Sequence, residues 1–346
     1  MLLKIKKRIE EELPKYIENT NKQFGFNKAS PLLFRGLKNF ALGAGKRIRP
    51  TLFIIGYLGY AKKTPPGLYQ SALALELLHD FLLIHDDIID KSDTRRGQSS
   101  LHKYFDNNLK SYGNIKFSGT DLAIVAADIM YALSINAFMG IRENHERKEA
   151  ALRKFISSAI YTGTGEFIEL IYGTNKLRNI SLEDIYKIYD LKTARYTFAS
   201  PLSIGATLGG AGQKEIDLLF TYGLYIGRAF QIKDDIIGTF SKESAIGKSN
   251  LTDLREAKKT ILIWHAYNNS DVKTKSEIEK ILSKINAGKT ELIRMRKILT
   301  DSGSLDYAQR QINLSLAKAK SFLSRSKISQ RCKKALSGYC HKILGP

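Results

Sequence analysis

The chain has 346 residues, of which 43% are hydrophobic, so it can build one large core or two ordinary ones. Lys and Arg (55) outnumber Asp and Glu (34), and the net charge of +21 predicts an anionic partner: nucleic acid, an acidic membrane face or phosphorylated substrates. The only cysteines, Cys332 and Cys340, exclude a disulfide framework, and no Cys/His cluster indicates zinc. We therefore expect a reducing, cytoplasmic location.

The N-terminal segment 1–16 carries charges every few residues, which predicts an amphipathic first helix instead of a signal peptide or membrane anchor. No later segment offers about 18 uncharged apolar residues in a row, the minimum for a spanning helix. We therefore expect a soluble protein with at most peripheral membrane contact.

Apolar residues follow helical spacing along most of the chain, and paired alternating runs around Asn-Gly are absent, so we predict an all-α fold. The predicted helices lie near residues 29–45, 45–62, 68–90, 121–140, 147–173, 181–209, 214–238, 271–286, 288–301 and 303–325. No repeat period or flexible linker is visible. We therefore predict a single domain over residues 1–346, a large antiparallel helical bundle around a central cavity.

The helix predicted over 68–90 follows Pro65-Pro66-Gly67 and is apolar nearly all round, which is typical of a buried helix. It ends in Asp86, Asp87 and Asp90, and the i, i+4 spacing places Asp86 and Asp90 on one helix face. Three acids at the end of an apolar helix are costly unless a cation or a set of bases neutralises them. Oxygen ligands with incomplete coordination favour Mg²⁺, although a solvated acidic helix end is a common alternative.

A second long apolar helix, predicted over 214–238, also ends in an acidic pair, Asp234-Asp235. Repetition of this unusual placement is hard to attribute to chance. Two facing acidic helix ends can hold several Mg²⁺ ions around one diphosphate. The two pairs together therefore predict metal-assisted chemistry on a diphosphate.

Several motifs in the sequence resemble those of the trans-prenyl diphosphate synthases, the farnesyl and geranylgeranyl diphosphate synthase family. They are HDDIIDKSDTRRG (85–97), FQIKDD (230–235), GKRIRP (45–50), Lys192-Thr193, Glu76-x-x-His79, AIVAADI (123–129), GTGEF (163–167) and GKSNLTDLREAKKT (247–260). They run in family order over roughly two thirds of the chain. The resemblance implies an isoprenoid synthase bundle and a magnesium-dependent prenyltransferase that condenses isopentenyl diphosphate head-to-tail with dimethylallyl, geranyl or farnesyl diphosphate, releasing diphosphate.

The resemblance also implies a role for each matching acid. Asp86, Asp90 and Asp234 correspond to the main Mg²⁺ ligands of the family, with Asp87 and Asp235 in support. About two to three Mg²⁺ ions per site are implied, with Mn²⁺ as the alternative metal.

Basic and polar positions of the motifs match the substrate contacts of the family. The residues implied to contact the allylic diphosphate are Arg95, Lys192 and Lys248. Those implied to hold isopentenyl diphosphate, without a metal, are Lys46, Arg49, His79 and Arg96. The residues implied at the reacting end are Thr193, Gln231, Phe230 and Lys192, and the implied catalytic set is Asp86, Asp90, Asp234, Arg95, Lys192 and Gln231. A single Lys or Arg is more often an ordinary surface charge, and a single histidine is more often a core residue. These roles therefore rest on the motifs and not on the residue types.

The implied chemistry is ionisation, condensation and elimination. Mg²⁺ and basic side chains stabilise the departing diphosphate, and the double bond of isopentenyl diphosphate attacks the allylic cation. The departing diphosphate then accepts a proton. This sequence of steps requires no protein nucleophile, in keeping with the absence of a recognisable Ser/His/Asp or Cys/His arrangement.

Product length is expected to depend on Phe81, five residues before Asp86 and roughly 7–8 Å back along the helix axis. Phe81 followed by Leu82 resembles the archaeal-type geranylgeranyl diphosphate synthases, which implies geranylgeranyl diphosphate as the product. A farnesyl or longer product is the alternative, and ordinary core packing would explain Phe81 equally well.

Competing functions are distinguished by particular positions. Gly238 stands where a third carboxylate of the second motif is expected, which predicts weaker metal binding on that side. A catalytically weak partner subunit of a hetero-oligomer is one alternative function, opposed by retention of both acidic pairs. A class I terpene cyclase would need Ser or Thr at Gly238 and Glu at Lys242. No aromatic-basic motif supports a nucleic-acid binder, so we expect no nucleic-acid partner. The family resemblance implies a homodimer.

Overall fold

The computed structural model describes residues 1–241, 252–284 and 286–344. Helices form nearly all the regular structure in these ranges, which confirms the predicted all-α fold. In chain order the elements are α1 (Leu2–Phe24), α2 (Phe26–Ala29), α3 (Pro31–Ala41), α4 (Ile48–Leu58), α5 (Leu68–Ile89), β1 (Thr94–Arg95), β2 (Gln98–Ser99), α6 (Leu101–Leu109), α7 (Gly119–Met139), α8 (His145–Thr174), a 3₁₀ turn (Leu177–Asn179), α9 (Leu182–Ile188), a π-helix (Tyr189–Ala199), α10 (Ser200–Leu208), α11 (Gln213–Phe240), α12 (Thr252–Arg255), α13 (Ile261–Asn268), α14 (Val272–Leu282), α15 (Lys289–Asp301), α16 (Ser304–Arg325) and α17 (Gln330–Leu344).

The chain packs into two compact units. The first comprises residues 1–152 and 205–210, and the second comprises residues 153–204 and 211–346. Two of the boundaries fall inside helices α8 and α10, and none falls in a long flexible linker. The organisation of residues 1–346 as a single domain stays a prediction.

In the first unit, α5 packs against α7, α4 and α1. Its N-terminal half is buried on nearly every side, as its uninterrupted apolar sequence predicts. Gly67 immediately precedes the helix as its N-cap residue, and its φ of 80° lies in the left-handed region. A Cβ atom at Gly67 would lie 2.0 Å from the carbonyl oxygen of Gly140, so only glycine allows the start of α5 to approach the end of α7.

Helix α7 is, among the described helices, the one long and apolar enough by length and composition to cross a membrane. Its first turn is closed by a capping box, in which Ser118 and Asp121 bond reciprocally. The face that carries Ala123, Ala126 and Ala137 is fully buried against the rest of the unit. Packing of this kind is equally typical of a core helix, so the composition of α7 is weak evidence for a membrane span.

A short hairpin follows α5, although the sequence carries no Asn-Gly hairpin signal there. Strands β1 and β2 pair antiparallel, with Arg95 opposite Gln98. Arg96 (φ 54°) and Gly97 (φ 76°) form the two-residue turn, and positive φ at both positions is the type I′ pattern that suits the twist of a hairpin. Arginine is uncommon in that conformation, so the sequence lacked the usual Asn-Gly signal.

In the second unit, the π-helix lies very close to α8 and α11 because glycines face it. Cβ atoms at Gly223 and Gly227 of α11 would lie 2.5 Å from the Cα atom of Ala199 and 2.4 Å from that of Ala194. A Cβ atom at Gly165 of α8 would lie 2.6 Å from the amide nitrogen of Lys192. Contacts this short exclude any side chain, so these glycines determine where the π-helix backbone sits.

Helices α13 to α16 contribute to the core of the second unit. Ile261, Ile278, Met295 and Ile312 are buried in one hydrophobic cluster. The predicted helices over 271–286, 288–301 and 303–325 correspond closely to α14, α15 and α16. Helices α6, α12, α13 and α17 have no counterpart among the predicted helices.

Candidate active site

The first acidic motif occupies the C-terminal end of α5. Successive residues of a helix point about 100° apart, so Asp86 and Asp87 face different surroundings. Asp87 is buried, at 1% exposure, whereas Asp86 and Asp90 are partly exposed one turn apart. The structure therefore places Asp86 and Asp90 on the accessible side of the helix end, as the i, i+4 spacing predicts.

Arg95 of the hairpin joins two of these acids. Its Nε donates to Oδ1 of Asp87 at 2.8 Å, and its Nη2 donates to Oδ2 of Asp86 at 3.0 Å. Burial raises the pKa of Asp87 to about 6, against the lowering effect of Arg95 and with a further increase from Asp86 and Asp90. Arg95 thus pairs with two of the three acids, Asp86 and Asp87, and its contact with the allylic diphosphate stays a prediction.

The carboxylates at the end of α5 are candidate ligands for a magnesium ion. No group of three or more His, Cys, Asp or Glu side chains in the described ranges is arranged to hold a metal by itself. Mg²⁺ commonly keeps several waters and binds through one or two carboxylates together with substrate phosphates. Two partly exposed carboxylates one turn apart, Asp86 and Asp90, suit that shared coordination. The residues therefore fit Mg²⁺ held jointly with a diphosphate.

A cluster of basic groups lies along α5, one to two turns before the acids. Arg49, in the first turn of α4, is nearly buried, while Lys46 in the preceding loop is exposed. Burial holds the pKa of His79 well below its ordinary value, and Arg49 and Arg96 lower it further. The structure therefore brings His79, Arg49 and Arg96 near one another, with His79 as a neutral imidazole.

Asp80 is a charged residue of this region to which the motifs assigned no role. It is fully buried, and neither carboxylate oxygen has a hydrogen-bond partner among the described residues; Nη2 of Arg96 lies 3.8 Å from Oδ1. Burial raises the pKa of Asp80 well above its ordinary value, with a further increase from Glu76 and an opposing effect of Arg96. An acid on the buried face of an apolar helix was the signal that could have identified it.

The second acidic motif lies near the end of α11. As in the first motif, one acid is buried and its neighbour is more exposed. Asp234 is exposed, whereas Asp235 is buried at 6% exposure. Asp235 accepts hydrogen bonds from Nε2 of Gln231 at 2.8 Å and from the hydroxyl of Tyr189. Burial, followed by the nearby Asp235, raises the pKa of Tyr189 well above its ordinary value, so its hydroxyl remains a donor.

Gln231 connects α11 to the π-helix. Its Oε1 accepts from Oγ1 of Thr193 at 2.7 Å, while its amide nitrogen donates to Asp235. The hydroxyl of Tyr189 in turn accepts from the amide nitrogen of Ile261 at 2.9 Å. Gln231 and Thr193, both predicted site residues, are therefore held together. Tyr189 was missed, because a tyrosine in an apolar segment carries no signal of its own.

Lys192 of the π-helix lies between two carboxylates of α8. Its Nζ is 2.7 Å from Oε2 of Glu166 and 2.5 Å from Oε2 of Glu169. The two acids are three residues apart, which places them on one face of α8. Lys192 is thus neutralised by protein side chains in this structure, and its contact with the allylic diphosphate stays a prediction.

Phe81, the predicted chain-length residue, packs against an aromatic side chain of α7. Its ring centroid lies 5.0 Å from that of Tyr131 and 4.7 Å from that of His85. Phe81 and Leu82 are both half-buried. Of the other predicted residues, Lys248 lies outside the described residues, and Gly238 is buried within α11.

Comparison with known proteins identifies the family. The family model described as polyprenyl synthetase matches residues 31–299 of the chain, well over half of its length. The chain belongs to the polyprenyl synthetase family. This confirms the family resemblance carried by the sequence motifs, and the matched range contains every predicted site residue.

Relatives of this polyprenyl synthetase are named as isoprenyl diphosphate synthases of different product lengths. A short chain isoprenyl diphosphate synthase of Methanocaldococcus jannaschii is 30% identical over 305 residues, covering 88% of this chain and 84% of that protein. A geranylgeranyl diphosphate synthase of Sulfolobus acidocaldarius is 31% identical over 282 residues, covering 80% of this chain and 79% of that protein.

Solved structures share the fold of this polyprenyl synthetase. The crystal structure of a geranylgeranyl pyrophosphate synthetase from Pyrococcus horikoshii matches with a TM-score of 0.81 at 25% identity, covering 99% of this chain and 98% of that one. A geranylgeranyl pyrophosphate synthase from Corynebacterium glutamicum, complexed with isoprenyl diphosphate and magnesium, matches with a TM-score of 0.90 at 23% identity, covering 100% of this chain and 99% of that one. At that identity the second likeness shows the fold alone.

Proposed function

We propose that this polyprenyl synthetase lengthens an allylic diphosphate by head-to-tail condensation with isopentenyl diphosphate. The observation that carries the proposal is the shared construction of the two acidic motifs. In each, one acid is buried and held by hydrogen-bond donors (Asp87, Asp235), while its neighbour is the more accessible of the two: Asp86 is partly exposed and Asp234 is exposed. Such anchoring directs the exposed carboxylate towards a ligand, and the names of the relatives indicate prenyl chain elongation.

Magnesium, when bound, neutralises the negative charge that develops on the departing diphosphate. Asp86, Asp90 and Asp234 would hold it, and Arg95 and Lys192 would add fixed positive charge. The number of ions, about two to three, and replacement by Mn²⁺ are part of the proposal.

In the reaction, the allylic C–O bond breaks and its electron pair leaves with the diphosphate. The double bond of isopentenyl diphosphate then forms the new C–C bond, and the released diphosphate accepts the proton lost from the adjacent carbon. Thr193 and Gln231 orient the reacting end through their mutual hydrogen bond, while Lys46, Arg49, His79 and Arg96 hold isopentenyl diphosphate. Lys248 joins the allylic contacts in this proposal.

For the product we propose geranylgeranyl diphosphate, with Phe81 and Leu82 limiting the growing chain. Curated relatives are named geranylgeranyl and geranylfarnesyl diphosphate synthases, so a length near 20 carbons is supported. A farnesyl or longer product is the alternative. A weak subunit of a hetero-oligomer is the second candidate function, favoured by the neutralisation of Lys192 by Glu166 and Glu169.

We also propose a cytoplasmic homodimer without a nucleic-acid partner. The part of α8 in the second unit exposes Ile160, Phe167 and Ile171, at 62%, 67% and 49%. Their spacing of i, i+7 and i+11 makes one apolar stripe, and such a stripe is costly in water unless another chain covers it.

The decisive experiment measures condensation by the purified protein. It is incubated with isopentenyl diphosphate and dimethylallyl, geranyl or farnesyl diphosphate, with Mg²⁺ or with a chelator, and the products are separated by chain length. We expect metal-dependent linear products from the protein alone. Condensation without metal would contradict the mechanism, a cyclic hydrocarbon would favour the cyclase, and activity only with a second subunit would favour the second candidate function.

Two variants assign the chemistry to the acidic motifs. Asp86→Ala and Asp234→Ala are each expected to lower kcat by about 100-fold or more, because charge stabilisation of the leaving group is lost. Asp217→Ala, at an exposed position nearer the start of α11, is the control and should retain full turnover. Intact turnover in both motif variants would remove the site assignment.

A further inference from the structure

Arg47 stands between two predicted substrate ligands, Lys46 and Arg49, yet its side chain is buried at 1% exposure. Each of its nitrogens has a partner. Nη1 donates to Oε1 of Glu76 at 2.6 Å, Nη2 donates to the carbonyl oxygen of Gly43 at 2.7 Å, and Nε donates to Oε1 of Glu10 at 3.0 Å. The guanidinium therefore joins α5, the loop between α3 and α4, and α1.

The loop is shaped around this guanidinium. Arg47 has a φ of 51°, a left-handed conformation that is uncommon outside glycine, and it persists only where the surroundings hold it. Gly45 packs against the same group, since a Cβ atom there would lie 3.1 Å from Nη1 of Arg47. A buried arginine is costly unless it is paired and hydrogen-bonded, so the loop conformation and the hydrogen bonds of this guanidinium depend on each other.

The same bonds set the places of the predicted isopentenyl diphosphate ligands. Lys46 immediately precedes Arg47, and Arg49 follows two residues later in the first turn of α4. His79 lies three residues after Glu76, about one turn along α5. A shift of the Arg47–Glu76 pair would therefore move these groups relative to one another. With its nitrogens engaged inside the protein, Arg47 itself does not reach the diphosphate.

We propose that Arg47 is a positioning residue for the isopentenyl diphosphate subsite and that Glu10 makes helix α1 part of that subsite. The proposal rests on the proposed function of the chain. Glu10 lies outside the range 31–299 that matches the family, so family membership by itself does not assign it a role. Lysine cannot replace Arg47, because one ammonium does not reproduce the planar fork that reaches three elements.

The test measures KM for isopentenyl diphosphate and for the allylic primer separately, together with Tm. Glu10→Gln changes a half-exposed residue and should preserve folding. It is expected to raise KM for isopentenyl diphosphate about threefold to tenfold, the size of one lost charge-assisted bond, and to leave KM for the primer unchanged. Arg47→Lys is expected to show the same selectivity with a larger increase.

Glu18→Gln is the matched control, because Glu18 also joins α1 to a neighbouring helix, through an ion pair of 2.6 Å with Lys38, away from the loop. It should leave both KM values unchanged. The proposal is overturned if Glu10→Gln lowers Tm without changing the ratio of the two KM values, or if Glu18→Gln changes that ratio equally. A wild-type protein that condenses no primer would instead overturn the proposed function, and this inference with it.

Discussion

At the scale of single residues, burial decides what each charged group of the site can do. Asp87 and Asp235 are held inside the protein by donors, whereas Asp86 is partly exposed and Asp234 is exposed, so these two carboxylates are accessible to solvent. A buried carboxyl without a donor, such as Asp80, has no such compensation. Asp80 therefore differs from the buried acids Glu76 and Asp87 of the same helix, which accept hydrogen bonds from Arg47 and Arg95, and its burial costs stability.

Replacement of Asp80 by Asn should stabilise the protein at neutral pH. The folded state raises the pKa of Asp80 above its ordinary value of 3.8, mainly through burial, so the folded chain keeps a proton that the unfolded chain loses as pH rises. This penalty is absent below that value and grows with pH up to the folded pKa. We expect Asp80→Asn to gain on the order of 1–3 kcal/mol at neutral pH and little near pH 4.

Thermal unfolding of Asp80→Asn and wild type across pH 4–8 checks this expectation. Asp217→Asn, at an exposed site, should follow the wild-type curve throughout. A difference that stays constant with pH, or an Asn variant less stable than wild type at neutral pH, would contradict the assignment of a buried, raised pKa.

Removal of the Phe81 ring should lengthen the products. Phe81 packs against Tyr131 near the aspartates, so Phe81→Ala opens space where the growing chain is proposed to end. We expect products longer than those of wild type by one or more isopentenyl units in an in vitro assay analysed by chromatography. Phe322→Ala, in α16 of the other unit, is the control. Unchanged product length in Phe81→Ala would show that Phe81 contributes only to core packing.

At the scale of elements, the glycines that face the π-helix are the most sensitive positions of the second unit. Gly227→Ala places a methyl group 2.4 Å from Ala194, so either α11 or the π-helix must move. We expect a loss of about 1–3 kcal/mol in the free energy of unfolding, and a lower kcat because Lys192 and Thr193 lie on the displaced segment.

Gly163→Ala provides the matched control for Gly227→Ala. Gly163 lies within α8, and a Cβ atom there meets nothing within 4 Å. That change should stabilise the protein by about 0.5–1 kcal/mol, since alanine loses less entropy in a helix. Denaturant unfolding and steady-state kinetics measure both variants; equal effects would contradict the close packing of the π-helix.

The helices that carry the acids were predictable, because long apolar periodicity is a local property that survives any arrangement of neighbours. Helices α5 and α11 lie within a few residues of the predicted ranges. The hairpin at Arg95 and the π-helix at Lys192 were not predicted. The hairpin depends on the bond from Arg95 back to Asp87 in α5, and the π-helix depends on contacts with residues distant in sequence, such as Gly165.

At the scale of the whole molecule, the apolar stripe on α8 predicts the oligomeric state. Phe167→Asp places a charge in the middle of the stripe and should convert a dimer, of twice the 38.9 kDa chain mass, into a monomer. Light scattering after size-exclusion chromatography measures the mass. Leu314→Asp, at an exposed apolar position of α16, is the control and should remain dimeric. A monomeric wild-type protein would contradict the proposal.

The sequence by itself determined the class of chemistry and the family, because the spacing of the acids, the order of the motifs and the helical periodicity depend only on the order of residues. It also placed Asp86 and Asp90 on one helix face. Only the tertiary structure decided which acid of each pair is buried, that Arg47 binds protein instead of ligand, and that Lys192 meets two carboxylates. Those outcomes depend on burial and on partners many residues away, and neither can be read from local spacing.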